Sequence, residues 1–240
     1  MLLALLCVAV AFASDLPLVS MDFTADVTGG LTELVIEQTF VNDSLDHIEA
    51  VYTFPLQPSA AVDGMWIKFD GREIRADVRG RQEARQAYDQ AARTGKVAAL
   101  TEQQRPNVFT QHVANIPPGA EIQVELRVIQ PVERRNGAWE LVLPLAVAPR
   151  FAPQGRGADV RTPVVLSSHA LDGRADDGIR RGGSGVTVGI DVHVQAGVPI
   201  RRAESPTHRA EFFEDDGAMG ALLRNVPPTR DFVLRWWTDQ

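Results

Sequence analysis

The sequence predicts an all-β protein, mainly an antiparallel β-sandwich, with one amphipathic helix at about 81–93. Three observations lead to this prediction: short segments alternate between apolar and polar residues, turn residues separate these segments, and helical spacing occurs in one segment. Short strands separated by turns favour an antiparallel sandwich over a parallel α/β sheet. With 240 residues, the chain is long enough for one large domain or two small ones.

The alternation is clearest in two segments. Apolar side chains occupy every second position over 186–194 and again over 122–128, as expected for half-buried strands. Earlier in the chain, the alternating segments 34–40 and 48–54 suggest a pair of strands joined through Asn42-Asp43-Ser44.

One segment follows a different period. From Arg81 to Arg93 the apolar residues recur at i, i+3, i+4, i+7 and i+8, which predicts an α-helix. Gly80 suits the N-cap position and Gly95 suits the C-terminal end. The apolar face is mostly alanine, so we expect Tyr88 to be its one large anchor.

The first 13 residues form an uncharged apolar run that is shorter than the ~20 residues of a membrane-spanning helix. Ala11-Phe12-Ala13 has the small-x-small pattern of a signal peptidase site, so we predict a signal peptide over 1–13 that is cleaved after Ala13. The alternative is a buried N-terminal strand. Cleavage would also remove Cys7, the single cysteine, so disulfides and thiol catalysis are not expected in the mature chain. The predicted location is periplasmic or secreted, with no membrane span in the mature chain.

Charge and motif content argue against several classes of function. The formal net charge is −7 and the basic residues are scattered, which does not fit a nucleic-acid interface. The five histidines are dispersed, and His193 is expected to be a solvated strand residue beside Asp191. The acidic turns at 176–178 and 214–217 could in principle bind calcium, but solvated turns are the favoured interpretation. We therefore predict no enzyme activity, no cofactor and no metal site, with a hydrolase of unrecognised site as a weaker alternative.

The composition changes in the second half of the chain. Segment 153–185 is rich in Gly, Arg and Asp and is predicted to be a loop region with one short strand around 164–166. Segment 186–240 is predicted to be a β extension that packs on the first part of the chain.

Seven phrases follow one another in the first half of the chain: EQTFVN at 37–42, AVYTFPL at 50–56, AAVDG at 60–64, EARQAY at 83–88, GKVAAL at 95–100, EQQRPNVFT at 102–110 and VANIPPG at 113–119. In this order they closely resemble the VIT domain of vault proteins and inter-alpha-trypsin inhibitor heavy chains. The resemblance implies a VIT domain over about 20–152. Segments 205–208 and 230–236 resemble the stretch that leads to the von Willebrand A domain of that family, although the Asp-x-Ser-x-Ser motif of that domain does not occur in this sequence. Functions that the motif carries in the family are therefore not transferred.

Four residues are candidates for an interaction surface. Arg105 and Asn107 could belong to a docking surface for a neighbouring domain, or could simply fasten a loop over the core. Trp236 and Trp237 are adjacent, so on a strand they must face opposite sides, and one of them is expected to be covered by a partner. Trp139 is expected in the core. We predict a protein partner, with a von Willebrand A domain protein as the candidate that the resemblance suggests. A glycan stacked on an exposed Trp is the alternative.

Overall fold

The computed structural model describes residues 18–105, 108–145, 164–165, 186–215 and 217–239. Within these ranges the chain forms sixteen β-strands and one α-helix. The strands, in chain order, are β1 Leu18–Thr28, β2 Leu31–Val41, β3 Ile48–Pro55, β4 Ala61–Phe69, β5 Arg72–Arg75, β6 Ala98–Arg105, β7 Val108–Ile116, β8 Glu121–Pro131, β9 Glu133–Arg135, β10 Ala138–Leu143, β11 Val164–Val165, β12 Thr187–Gln195, β13 Ile200–Glu204, β14 Glu211–Asp215, β15 Ala218–Val226 and β16 Phe232–Thr238. The helix, α1, spans Arg81–Arg93.

The strands are arranged in three sheets around one hydrophobic core. Sheet 1 has eight strands in the order β14-β15-β12-β1-β2-β8-β4-β5. Sheet 2 has the order β13-β16-β10-β9, and sheet 3 has the order β11-β3-β7-β6. Buried side chains from all three sheets form a single cluster, so sheets 2 and 3 together complete the layer that covers sheet 1. The predicted all-β class with one helix is confirmed.

The alternating segments of the sequence become strands that bury one face. In β8 the side chains of Ile122, Val124, Leu126 and Val128 are fully buried, and in β12 the same is true of Val188, Ile190, Val192 and Val194. The pleat places successive side chains on opposite faces, which is why the period of two predicts these core positions.

The predicted pairing of segments 34–40 and 48–54 is wrong. Strand β2 pairs with β1 and β8 in sheet 1, whereas β3 pairs with β7 and β11 in sheet 3. The connection through Asn42 is therefore a crossover between the two layers and not a hairpin turn. The apolar faces of both strands contribute to the same core, to which β2 belongs through sheet 1 and β3 through sheet 3.

The side chain of Asn42 holds this crossover together. Its Nδ2 donates hydrogen bonds to the carbonyl oxygens of Asp46 (2.7 Å) and Ile116 (2.8 Å), and its Oδ1 accepts from the backbone N–H (3.0 Å) and the hydroxyl (2.7 Å) of Ser44. Its backbone also bonds with Ala120 and Gly119 in the turn before β8. The fully buried amide thus uses its whole hydrogen-bonding capacity.

The C-terminal segment contributes central strands of the fold. Strand β12 lies parallel to β1 over nine residue pairs, from Ser20 opposite Thr187 to Thr28 opposite Gln195. Strand β16 pairs antiparallel with β10 and places Trp236 opposite Trp139. Trp139 is half-buried and packs against the core beside fully buried Leu141. The predicted strand at 164–166 is present as β11, while the rest of segment 153–185 lies outside the described residues.

Helix α1 has the predicted bounds and covers the outer face of sheet 3. Gly80 occupies the N-cap, the C-cap is Thr94, and Gly95 follows with a left-handed φ of +74°. The side chain of Asn115, on β7, donates to the carbonyl oxygens of Ala92 (2.7 Å) and Lys96 (2.9 Å). The sheet therefore binds the end of the helix through Ala92, whose carbonyl also accepts from the Gly95 N–H, and the residue after the C-terminal turn through Lys96.

A group of polar side chains, here named the helix-anchor cluster, fastens the middle of α1 to sheet 3. The buried Tyr88 donates from its hydroxyl to Oε1 of Glu49 at 2.7 Å, and its ring packs 5.8 Å from the ring of His112. Arg85 forms an ion pair with the buried Glu102 and lies 3.2 Å from Nε2 of His112. The anchor role predicted for Tyr88 is confirmed, since it is the one buried residue of the helix.

Burial shifts the pKa values of two groups in the helix-anchor cluster. It lowers the pKa of His112 below its ordinary value of 6.5, and the neighbouring Arg85 guanidinium adds to this effect. Burial, with the hydrogen bond to Glu49, raises the pKa of the Tyr88 hydroxyl above its ordinary value. Both side chains are therefore held in their neutral forms near pH 7.

Replacing Asn42 by Ala is expected to lower the free energy of unfolding by about 3 kcal/mol, because buried carbonyl groups lose their donors. Urea denaturation at neutral pH measures this change. Asp43→Ala is the matched control: Asp43 is exposed, and its replacement is expected to stay within about 0.5 kcal/mol of the wild type. Equal stability of the two variants would contradict the assigned role of Asn42.

The helix-anchor cluster predicts a stability that depends on pH through His112. The pKa of this group is lower in the folded state, so the unfolded chain binds the proton more readily, and stability present above pH 6.5 is lost as the pH falls through the folded-state pKa. Urea denaturation between pH 7.5 and 5.5 should show a smaller loss for His112→Gln than for the wild type. His47→Gln, on the exposed loop before β3, should retain the wild-type slope. Identical slopes for all three proteins would disprove the assignment.

Candidate functional site

The two adjacent tryptophans of β16 face opposite sides, as predicted. Trp236 is only 3% exposed and belongs to the hydrophobic core. Trp237 is partly exposed, and the guanidinium carbon of Arg202, on the neighbouring strand β13, lies 4.8 Å from the centroid of its ring. Trp237 is therefore the member of the pair that is available to a partner, and Trp236 is not a surface residue.

Of the other predicted pair, only Arg105 has a described backbone. Arg105 is the last residue of β6 in sheet 3, where its backbone is in register with Val108, whereas Trp237 lies in sheet 2. The side chain of Arg105 and the whole of Asn107 lie outside the described residues. The structure thus places Arg105 and Trp237 on strands of different sheets.

A broad depression lies at the edge where β13 of sheet 2 and β14 of sheet 1 are the outermost strands. Its volume is about 750 Å³. Arg202 lines it together with three exposed apolar side chains, Val198, Phe212 and Phe213. We name this surface the C-terminal depression and define it by these four residues. Trp237 does not line it and is connected to it through Arg202.

Phe213 is held in place by its neighbours in sheet 1. Its ring covers Gly220 on β15 so closely that a Cβ atom at position 220 would lie 2.1 Å from the ring. His193, on β12, meets the same ring edge-on at a centroid distance of 5.7 Å. Only glycine leaves room for the ring in this position, so the sequence of β15 determines how Phe213 is presented at the surface.

The two arginines that line the C-terminal depression are paired within the protein. Arg202 forms an ion pair with Glu204, and Arg201 forms one with Asp239. The depression thus combines apolar side chains with paired arginines, a composition typical of a protein-binding patch.

Two other tryptophans are not fully buried, and arginines stack on both. Trp66, on the outer face of sheet 1, lies between Arg127 (4.3 Å to the ring centroid) and Arg75 (5.3 Å). Trp139 has Arg134 at 5.8 Å. A guanidinium on the ring face occupies the position that a stacked sugar would need.

Sequence reasoning missed the phenylalanines of the C-terminal depression. Phe212 and Phe213 are adjacent on a short strand, so the argument that separated Trp236 from Trp237 would have placed them on opposite faces as well. Their joint exposure could not be deduced in this way, because it depends on β14 being an edge strand.

The described residues include no group of three or more His, Cys, Asp or Glu side chains arranged to hold a metal ion. Within the same ranges, no helix has the length and apolar character needed to cross a membrane. The helix-anchor cluster brings together Tyr, His, Arg and Glu side chains, but its hydrogen bonds connect α1 to sheet 3 and hold the two elements together.

Comparison with known proteins identifies the family. Residues 18–128 match the family model of the vault protein inter-alpha-trypsin (VIT) domain. The chain is 34% identical over 139 residues to the protein mono-ADP-ribosyltransferase PARP4 of Mus musculus, a match that covers 58% of this chain and 7% of that protein. It is 29% identical over 157 residues to the human von Willebrand factor A domain-containing protein 5A, covering 62% of this chain and 20% of that protein. The chain therefore spans only a small part of the length of these relatives.

Solved structures align with most of this chain at low sequence identity. The aminopeptidase A of Legionella pneumophila aligns with 94% of this chain and 22% of its own, at 11% identity and a TM-score of 0.44. The matched family region runs from the start of β1 to Val128 in β8, and it contains strands of sheets 1 and 3 together with α1. The resemblance found in the sequence is thus confirmed: residues 18–128 of this chain match the VIT domain.

Proposed function

We propose that the chain is an exported, non-catalytic interaction module that binds a partner protein at the C-terminal depression. The observation that carries the proposal is the set of exposed apolar side chains in a concave surface whose two arginines are already paired, with Trp237 stacked on one of them, Arg202. Exposed aromatic residues around a concave surface are the usual anchors of protein interfaces. This function belongs to the scaffold and adhesion class and requires no chemical step.

A von Willebrand A domain protein is the partner that we propose. The support comes from the relatives, because one of them is by name a von Willebrand factor A domain-containing protein and it shares the VIT region with this chain. Strand β16, which carries Trp237, lies outside the matched VIT region and ends at Thr238, beside the depression. A domain bound there would contact the VIT unit through the strands that complete its sandwich.

A glycan is the alternative ligand for an exposed tryptophan, and the geometry favours it less. Trp66, Trp139 and Trp237 each have an arginine over the ring, so a sugar would have to displace a cation–π contact to stack. A protein partner can instead cover the Trp237–Arg202 pair as a unit, together with the neighbouring phenylalanines.

Export is proposed from the sequence. Segment 1–13 lies outside the described residues, and its apolar run with Ala11-Phe12-Ala13 is the pattern that signal peptidase recognises. The first strand, β1, begins at Leu18, so cleavage after Ala13 would leave every described strand intact.

Trp237→Ala is expected to weaken partner binding about 30-fold, since an interface tryptophan typically contributes about 2 kcal/mol or more. The measurement is affinity purification of the tagged chain from its native cells, followed by mass spectrometry. A von Willebrand A domain protein should be recovered with the wild type and with the control Leu45→Ala, a change at a 94% exposed residue of the β2–β3 crossover. Equal thermal unfolding of the variants would show that folding is unaffected.

Recovery of no von Willebrand A domain protein, or equal recovery with Trp237→Ala, would contradict this assignment. Binding to a glycan array that is lost in Trp237→Ala would favour the glycan alternative over a protein partner.

Export predicts a mature chain that begins at Ser14. Expression in a Gram-negative host, fractionation and N-terminal sequencing measure this directly. Ala13→Arg should block processing because signal peptidase requires a small residue before the cleaved bond, whereas Ala13→Ser should be processed normally. A cytoplasmic product of the wild-type sequence that still begins at Met1 would disprove the signal peptide.

A further inference from the structure

A second concave site lies at the opposite edge of sheet 1 from the C-terminal depression. It has a volume of about 440 Å³, within the range of ~300–1,000 Å³ typical of small-molecule sites. Strands β4 and β5 of sheet 1, strand β6 of sheet 3 and helix α1 form its walls. We name it the helix–edge cavity.

The cavity exists because α1 presents small side chains to it. Ala84, Ala87 and Ala91 line the helix wall, and Ala98 and Ala99 line part of the wall formed by β6. A leucine at any one of the helix positions would fill part of this space, as the apolar face of a packed helix ordinarily does. The alanines therefore leave open a volume that larger apolar side chains would occupy.

The interior of the cavity is apolar. Met65, Ile67, Leu100 and Phe109 contribute buried side chains to its lining. At its rim, Ile74 is 53% exposed and Val78 is 94% exposed. Apolar side chains thus continue from the buried lining to exposed positions, as expected of a site that takes up an apolar molecule.

Several polar groups of the lining already have partners within the protein. The hydroxyl of Tyr88 donates to Glu49, and the hydroxyl of Thr101 donates to the side chain of Gln111. Arg79 is paired with Asp77 at 2.9 Å and with Glu83 at 3.5 Å. Asp77 and Arg79 are the charged residues of the lining, and because they are paired, no free cation is left there to attract an anionic ligand.

We propose that the helix–edge cavity binds a small, neutral, apolar molecule. The alanine-lined wall provides the space, the aliphatic and aromatic lining provides the favourable burial, and the paired charges near the rim disfavour a carboxylate or sulfonate. This site is independent of the proposed partner surface because β5 and β14 are the two opposite edge strands of sheet 1.

A matched pair of fluorescent probes tests the proposal. N-phenyl-1-naphthylamine is neutral and apolar, and 1-anilinonaphthalene-8-sulfonate has the same ring system with an added negative charge. Titration of the full chain should show one binding site for the neutral probe and at least tenfold weaker binding of the anionic probe.

Variants of α1 locate the site. Ala91→Leu, which fills the cavity, should weaken binding of the neutral probe at least tenfold while the protein remains folded by circular dichroism. Gln90→Trp, at an exposed neighbouring position of the same helix, should bind the probe as the wild type does. Phe212→Ser removes an exposed aromatic side chain from the C-terminal depression and should likewise have no effect.

Three results would overturn the proposal: no binding of the neutral probe, equal binding of the two probes, or unchanged binding in Ala91→Leu. If Ala91→Leu does not fold, Ala84→Leu provides the same test from the first turn of the helix. Loss of binding in Phe212→Ser would place the probe at the other edge of the sheet and would also reject the helix–edge cavity.

Discussion

The buried amide of Asn42 is the interaction on which the arrangement of the sheets depends. It joins the end of β2 in sheet 1 to the end of β7 in sheet 3 through the carbonyl of Ile116, and it fixes the loop that enters β3. A crossover between layers buries polar backbone groups that need partners, and a single asparagine can provide two donors and accept two hydrogen bonds. The other buried asparagine of the family phrases, Asn115, connects β7 in a similar way to the end of α1, through the carbonyl oxygens of Ala92 and Lys96.

This arrangement also determines where the surface can accept other molecules. An open sandwich has edge strands, and here the edges of sheet 1 are β14 at one end and β5 at the other. The C-terminal depression lies at the first edge and the helix–edge cavity at the second. Between them, the outer face of sheet 1 carries paired charges such as Lys68 with Glu125 at 2.7 Å, which suit contact with water. Concave apolar surface is therefore found where the sheets end.

Much of the fold could be predicted because the controlling signals are local. The period of two in β8 and β12, the alanine face of α1 and the opposite orientation of Trp236 and Trp237 all follow from backbone geometry. The pairing of β2 with β3 was predicted wrongly because a short loop between two strands fits both a hairpin and a crossover. Which of these two connections forms depends on how the apolar faces of all the strands are buried together. Phe212 and Phe213 were missed as surface residues for a related reason, since an edge position depends on strand order.

The sequence by itself determined the all-β class, the bounds of the helix, the core faces of the long strands and the VIT domain. The first three follow from local periodicity, and the VIT domain follows from an ordered set of phrases. The tertiary structure alone decided which strands are neighbours, including the parallel pair of β1 and β12, whose segments are separated by more than a hundred residues of chain. It also decided that Arg202 and Phe213, from strands of different sheets, line one depression and that the alanines of α1 border a cavity. The physical reason is that contacts between distant segments depend on how the whole chain buries its apolar surface. A pattern within one segment carries no information about that total burial.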